Sequence, residues 1–157
     1  MTNFNIKDII NFVNQQQPGT RVYLGADSRR YIKEDTWWAT YTVAVVIHIN
    51  GNRGCKIFGD VSHERDYDKN AHRPSMRLMN EVYKVSEMYS MLNDALPDTP
   101  IEVHLDISAD PVNGSNCIIQ QAIGYIRGTC NVIPMVKPHA FAASCAADRY
   151  TNLRKQA

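Results

Sequence analysis

The hydrophobic pattern changes period several times along the chain, and each change marks an element. From Pro74 to Leu96 the apolar residues Leu78, Val82, Val85, Tyr89, Leu92 and Leu96 recur at alternating steps of four and three. That spacing stacks them on one face of an amphipathic α-helix. A shorter helix is predicted over Ile6–Val13, anchored by Ile9, Ile10 and Val13. Ile118, Ile119, Ala122, Ile123 and Ile126 predict a third, with Ser115 as its cap. Beyond Pro138 an alanine-rich stretch predicts a last helix from about Ala140 to Leu153.

Between these stretches the period shortens. Arg21–Ala26 holds a short apolar run that ends in Gly25-Ala26-Asp27-Ser28, and Trp37–Ile49 is dense in β-branched and aromatic residues. The turn-rich link from Asn50 to Gly54 sends Cys55–Val61 back as a hairpin partner. Ile101–Leu105 and Val132–Val136 complete five predicted strands, while Ser62–Arg73 and Asp106–Asn116 read as loops. Strands separated by helices require right-handed crossovers, so the first, fourth and fifth should run parallel. The expected fold is a single α/β domain over residues 1–157, with a core from about 20 to 153. Its five-stranded mixed sheet has the order 3-2-1-4-5 and is flanked by helices.

Composition agrees with a folded globule. Hydrophobic residues make up 44% and charged residues 21% of 157, which excludes disorder, collagen and coiled coil as whole-chain readings. No apolar run approaches the roughly 18 residues of a membrane span, and the start lacks the apolar stretch of a secretory signal. The expected location is therefore cytoplasmic. Cys55, Cys117, Cys130 and Cys145 form no C-x-x-C pair and read as reduced structural thiols. A net charge of +1 gives no whole-molecule attraction to a polyanion. The charge is uneven, however: residues 127–157 carry +4 and residues 1–126 carry −3.

Four acids occupy conspicuous places. Asp27 and Asp106 directly follow the first and fourth predicted strands. If these are parallel neighbours, both acids lie at one end of the sheet, about 4.7–4.9 Å apart in strand spacing. That end is the carboxyl-side crevice where open α/β sheets bind ligands. Glu81 sits at the margin of the Leu78–Leu96 apolar face, whereas Glu87 on the same helix points to solvent. Asp148 shares a helical face with Phe141 and Cys145. Singly, each has an ordinary explanation: a turn-forming Asp, a partner for Arg77 or Lys84, a partner for Lys137. Jointly, four acids at buried margins need a counter-charge, and a hard divalent cation supplies it.

The order of strands and acids resembles the ribonuclease H fold. Leu24-Gly25-Ala26-Asp27-Ser28, His104-Leu105-Asp106-Ile107, Ala122-Ile123-Gly124-Tyr125 and the run from Val136-Lys137-Pro138-His139 through Ala147-Asp148 resemble, more narrowly, the YkuK-type ribonuclease H-like family. The likeness covers about residues 20–150, and its first and last segments are the specific ones. It implies a metal-dependent nuclease acting on RNA or DNA, with Mg²⁺ or Mn²⁺ as cofactor and two ions in the site. By the same likeness Asp27 bridges both ions, Glu81 and Asp106 complete one shell, and Asp148 holds the other. Two ions clamp the attacking water and the leaving oxygen of an in-line displacement. Proofreading exonucleases of the superfamily carry a second acid two residues after the first, and His or Tyr four residues before the last. Here those positions are Arg29 and Ser144, which disfavours that branch.

Further candidates surround the acids. Ser28 and Lys137 are expected to contact substrate, Lys137 through a phosphate, and His139 to transfer a proton. The bland alternatives are a solvated Lys and a turn-capping His. His63, Glu64, Asp66, Asp68 and His72 imitate a metal cluster but have no regular ligand spacing, so a solvated loop is the expectation. Trp37, Trp38 and Tyr41 suit either a strand face or base stacking, and two adjacent Trp cannot both face inward. The competing function is a non-catalytic ribonuclease H-like module that binds nucleic acid or protein. A junction-processing nuclease would further need a symmetric dimer, which nothing in the sequence indicates. The choice of RNA or DNA stays open.

Overall fold

β-Branched and aromatic residues crowd the first half of the chain, and there a long antiparallel meander forms. The computed structural model describes residues 5–16, 18–51 and 53–147. Strands β1 (Arg21–Lys33), β2 (Thr36–His48) and β3 (Cys55–Arg65) pair antiparallel in chain order. The short β4 (Ile101–His104) lies parallel on the other side of β1, giving the order β3-β2-β1-β4. Helices α1 (Ile6–Asn14), α2 (Ser75–Ala95) and α3 (Ile119–Cys130) follow the predicted periods, and a π-helical turn covers Ala142–Ala147.

The two faces of the sheet are packed differently. On one, Leu78, Val82, Val85 and Leu92 of α2 meet Val22, Leu24, Val43, Val45 and Ile47, and Ile9 of α1 and Ile126 of α3 join the same core. Every apolar residue of the predicted α2 stripe is buried, and Glu87 is exposed. On the other face Ala142, Ala146 and Ala147 pack on Ala44 and Val46. The approach is close enough that a Cβ on Gly25 would lie 2.3 Å from the Ala143 nitrogen and 2.4 Å from the Ala142 carbonyl carbon. Only glycine lets the turn dock there.

Four expectations are corrected. The first strand does not end at Ala26: β2 pairs with it as far as Lys33↔Thr36. The two-residue turn Glu34-Asp35, both at positive φ, closes the hairpin without the Gly or Asn that usually announces one. The fifth strand is reduced to a single parallel bridge, His104↔Met135, so the described sheet has four strands. Pro134 and Pro138 flank that bridge and have no N–H to extend a ladder. Ser115 does not cap α3; its hydroxyl accepts the Ser108 N–H in the preceding loop. The charged loop is not simply solvated: Ser62–Arg65 belong to β3, and Asp66 and Asp68 are buried. Of the predicted last helix the structure describes the Ala142–Ala147 turn; the rest of that prediction, Asp148 included, lies outside the described residues.

Candidate functional site

Alternation along β1 assigns each side chain a face. Val22, Leu24, Ala26 and Ser28 point toward α2, and Tyr23, Gly25 and Asp27 point to the opposite side. In the parallel pair with β4, Gly25 lies against His104. Asp27 and Asp106 each lie two residues beyond that last pair, and the charges of both act on Glu81. Although Asp27 lies within its strand and not at its end, it thus stands at the carboxyl edge of β4. Glu81 reaches the same edge from α2, where helical spacing turns it inward between Leu78 and Val85.

Glu81 is buried, only 5% exposed. The Ser28 hydroxyl donates to its Oε1, and Arg77 Nη1 donates to the Ser28 hydroxyl at 2.7 Å and to the Ser28 carbonyl at 3.0 Å. The Glu81 carboxyl titrates well above its ordinary range. Burial is the largest cause, and the charges of Asp27 and Asp106 add to it, while the Ser28 hydroxyl and Arg77 oppose it. Ala26, Glu81, His104, Leu105 and Asp106 line a narrow crevice there, too tight in this structure to admit a water molecule. Asp106 is paired by Lys137, whose Nζ lies 2.9 Å from Oδ1. The segment bearing Lys137 is held by its N–H donating to the Ile107 carbonyl at 3.0 Å. His139 is exposed two residues further on.

Of the predicted site, then, Asp27, Glu81, Asp106, Ser28 and Lys137 come together. Ser28 lies behind Glu81, its hydroxyl committed to that carboxylate. Among the described residues no three acidic, His or Cys side chains already converge on one metal-binding point. The donor chemistry nevertheless fits Mg²⁺ or Mn²⁺: the groups are hard carboxylate oxygens, of which Asp106 is paired with the Lys137 ammonium.

Two features escaped the sequence reading. Asp68 caps α2 from outside, accepting the N–H groups of Met76 (2.9 Å) and Arg77 (2.8 Å), because Pro74 at the cap position has no side chain to do so. Asp66 accepts the Asp68 N–H and meets Arg30 as an ion pair at 2.6 Å, not along a straight hydrogen bond. The second feature is His104. Its Nδ1 accepts the Ala142 N–H at 3.1 Å, so Nε2 carries the proton and faces Glu102 at 3.1 Å. Burial lowers its pKa, with Glu102 opposing. The neutral ring packs edge-on to Phe141 and Tyr23 and so anchors the terminal turn over β1.

A mixed sheet of order β3-β2-β1-β4, with acids gathered at the edge shared by β1, β4 and the first long helix, defines a ribonuclease H-like α/β protein. A sequence model described as ribonuclease H-like matches residues 5–152. The chain belongs to that family. No curated protein and no solved structure matches it.

Proposed function

We propose that the protein is a divalent-metal-dependent nuclease that hydrolyses phosphodiester bonds in RNA or DNA by a two-metal mechanism. The observation that carries the reading is the buried Glu81 carboxyl, held by Ser28 against the charges of Asp27 and Asp106. A fold that seats a carboxyl among like charges stabilises it best with a bound cation. Asp27, Glu81 and Asp106 would supply the oxygen ligands, and Asp148, outside the described residues, would be the fourth. Mg²⁺ or Mn²⁺ held there would supply Lewis-acid polarisation of the phosphodiester and a more acidic bound water.

The chain's own groups do the rest. Ser28 and Arg77 fix the Glu81 rotamer, so that this acid does not have to be ordered when the site fills. Lys137 exchanges its Asp106 partner for a substrate phosphate. His139, exposed two residues beyond Lys137, delivers a proton to the leaving oxygen. Labelled RNA, DNA and hybrid substrates incubated in Mg²⁺ and in Mn²⁺ test the proposal. Cleavage should stop on chelation and fall by at least about 10²-fold in Asp27→Asn and Asp106→Asn while substrate binding persists. Cleavage that resists chelation or survives both substitutions contradicts it. The second reading, a non-catalytic nucleic-acid- or protein-binding module, is favoured by the Lys137–Asp106 pair, which already neutralises one acid. It predicts no turnover with any substrate and unchanged binding in both variants.

A further inference from the structure

Past the end of β4 the strands β1, β2 and β3 run on as a three-stranded extension whose two faces carry opposite chemistry. On the α2 side the cations are consumed by local acids. Arg30 pairs with Asp66 (2.6 Å), and Lys84 pairs with Glu64 (2.6 Å). On the other side, the register lines up Arg29–Thr40–His63 in one row and Tyr31–Trp38–Arg65 in the next, with Lys33 opposite Thr36 at the tip. Between Asp27 and the hairpin turn this face holds no Asp or Glu. Lys33 and Arg65 enter no ion pair among the described residues. Lys33 and Arg65 are exposed, and Tyr31 and Trp38 are half-exposed. The Tyr31 ring is held edge-on to His63, with its hydroxyl 3.2 Å from Nδ1.

We infer that this face is the binding track for a single-stranded stretch of nucleic acid, with bases stacking on Trp38 and Tyr31 and phosphates on Lys33 and Arg65. A polyanion matches a row of cations cleared of acids, and aromatic rings presented on a sheet offer π-surface to unpaired bases. A duplex keeps its bases stacked on one another, which leaves such rings without a partner. The track leads inward along β1 from Lys33 to Asp27, about 20 Å at the ordinary strand rise. The inference rests on the nuclease reading for its destination, since the strand is delivered to the acidic edge.

The chain has 2 Trp, so Trp37→Phe leaves Trp38 as the sole tryptophan reporter. Oligothymidylate, oligouridylate and a mixed-sequence duplex, each end-labelled, are titrated in chelator against the full chain by anisotropy and tryptophan emission. The single strands should bind more tightly than the duplex, and comparison of the two distinguishes RNA from DNA as the source. Trp38 emission should be quenched in Trp37→Phe, whereas in Trp38→Phe the remaining Trp37 should not respond. Lys33→Glu combined with Arg65→Glu should weaken binding at least tenfold and flatten the slope of log K against log salt by about 1.4, at roughly 0.7 per phosphate contact. Both sites are exposed, and thermal melts check that the double variant folds. Wild-type binding in that variant, preference for the duplex, an unresponsive Trp38, or no binding to any probe overturns the inference. Failure here with metal-dependent cleavage lost in Asp27→Asn leaves the nuclease reading standing. Quenching and a salt slope without cleavage do the reverse.

Discussion

Two groups of acids flank the second half of β1, and they are built on opposite principles. Asp66 and Asp68 are answered completely: Arg30 pairs with the first, and the backbone N–H groups of α2 meet the second. That arrangement closes a charge account and ties the β3–α2 loop to the sheet. Asp27, Glu81 and Asp106 instead press like charges together, with Arg77 acting through Ser28 and Lys137 reaching only Asp106. Burial alone therefore does not separate a structural acid from a functional one. The difference lies in how the acids are set: the first pair among a cation and N–H donors, the second group against one another around a buried carboxyl.

Substitutions at the two groups should have opposite signs, and the largest effect belongs to the closed group. Asp66→Ala leaves Arg30 with the Asp68 carbonyl and the Trp37 ring as partners and removes the acceptor of the Asp68 N–H. It should lower unfolding free energy by about 2–4 kcal/mol, measured by urea denaturation, with no rescue by Mg²⁺. An unchanged midpoint would remove the contrast. Glu81→Gln should instead stabilise the protein at neutral pH in the absence of divalent cations, because the Ser28 hydroxyl keeps an acceptor and the like-charge field loses a member. The sign follows from linkage. A carboxyl whose folded pKa is raised above its unfolded value contributes stability below the unfolded pKa, near 4.5, and loses it as pH rises through the folded pKa. The gain of Glu81→Gln over wild type should thus vanish in acid and grow as pH rises. A gain independent of pH would show that the Glu81 carboxyl titrates alike in the folded and unfolded chain. The smallest effect is expected at Lys137→Met. Its pair with Asp106 is 43% exposed on the lysine side, so stability should change by less than about 1 kcal/mol, while Mg²⁺ affinity rises because a competitor is gone.

Much of the candidate site was legible because periodicity carries it. The four-and-three spacing around Leu78–Leu96 placed Glu81 at a buried margin, and the strand–helix–strand order placed Asp106 beside the first strand. What failed was physics that leaves no local trace. Glu34-Asp35 turns a hairpin without a turn signature, so β1 read as ending at Ala26 when it runs through Asp27 to Lys33. Pro134 was passed over in the segment read as a fifth strand, although a missing N–H limits any ladder there. The Asp68 cap joins two elements that the sequence shows only as a charged stretch and a helix start. The face of Tyr31, Trp38 and Arg65 appears only once the register of three strands is known.

The most direct test is isothermal titration of Mg²⁺ and of Mn²⁺ into the full chain, with Glu87→Gln as a control on the solvent side of α2. Saturable binding in wild type and Glu87→Gln, lost in Asp27→Asn and in Asp106→Asn, is the predicted result. No binding by the wild type with or without a single-stranded oligonucleotide, or binding indifferent to both aspartates, would contradict the account.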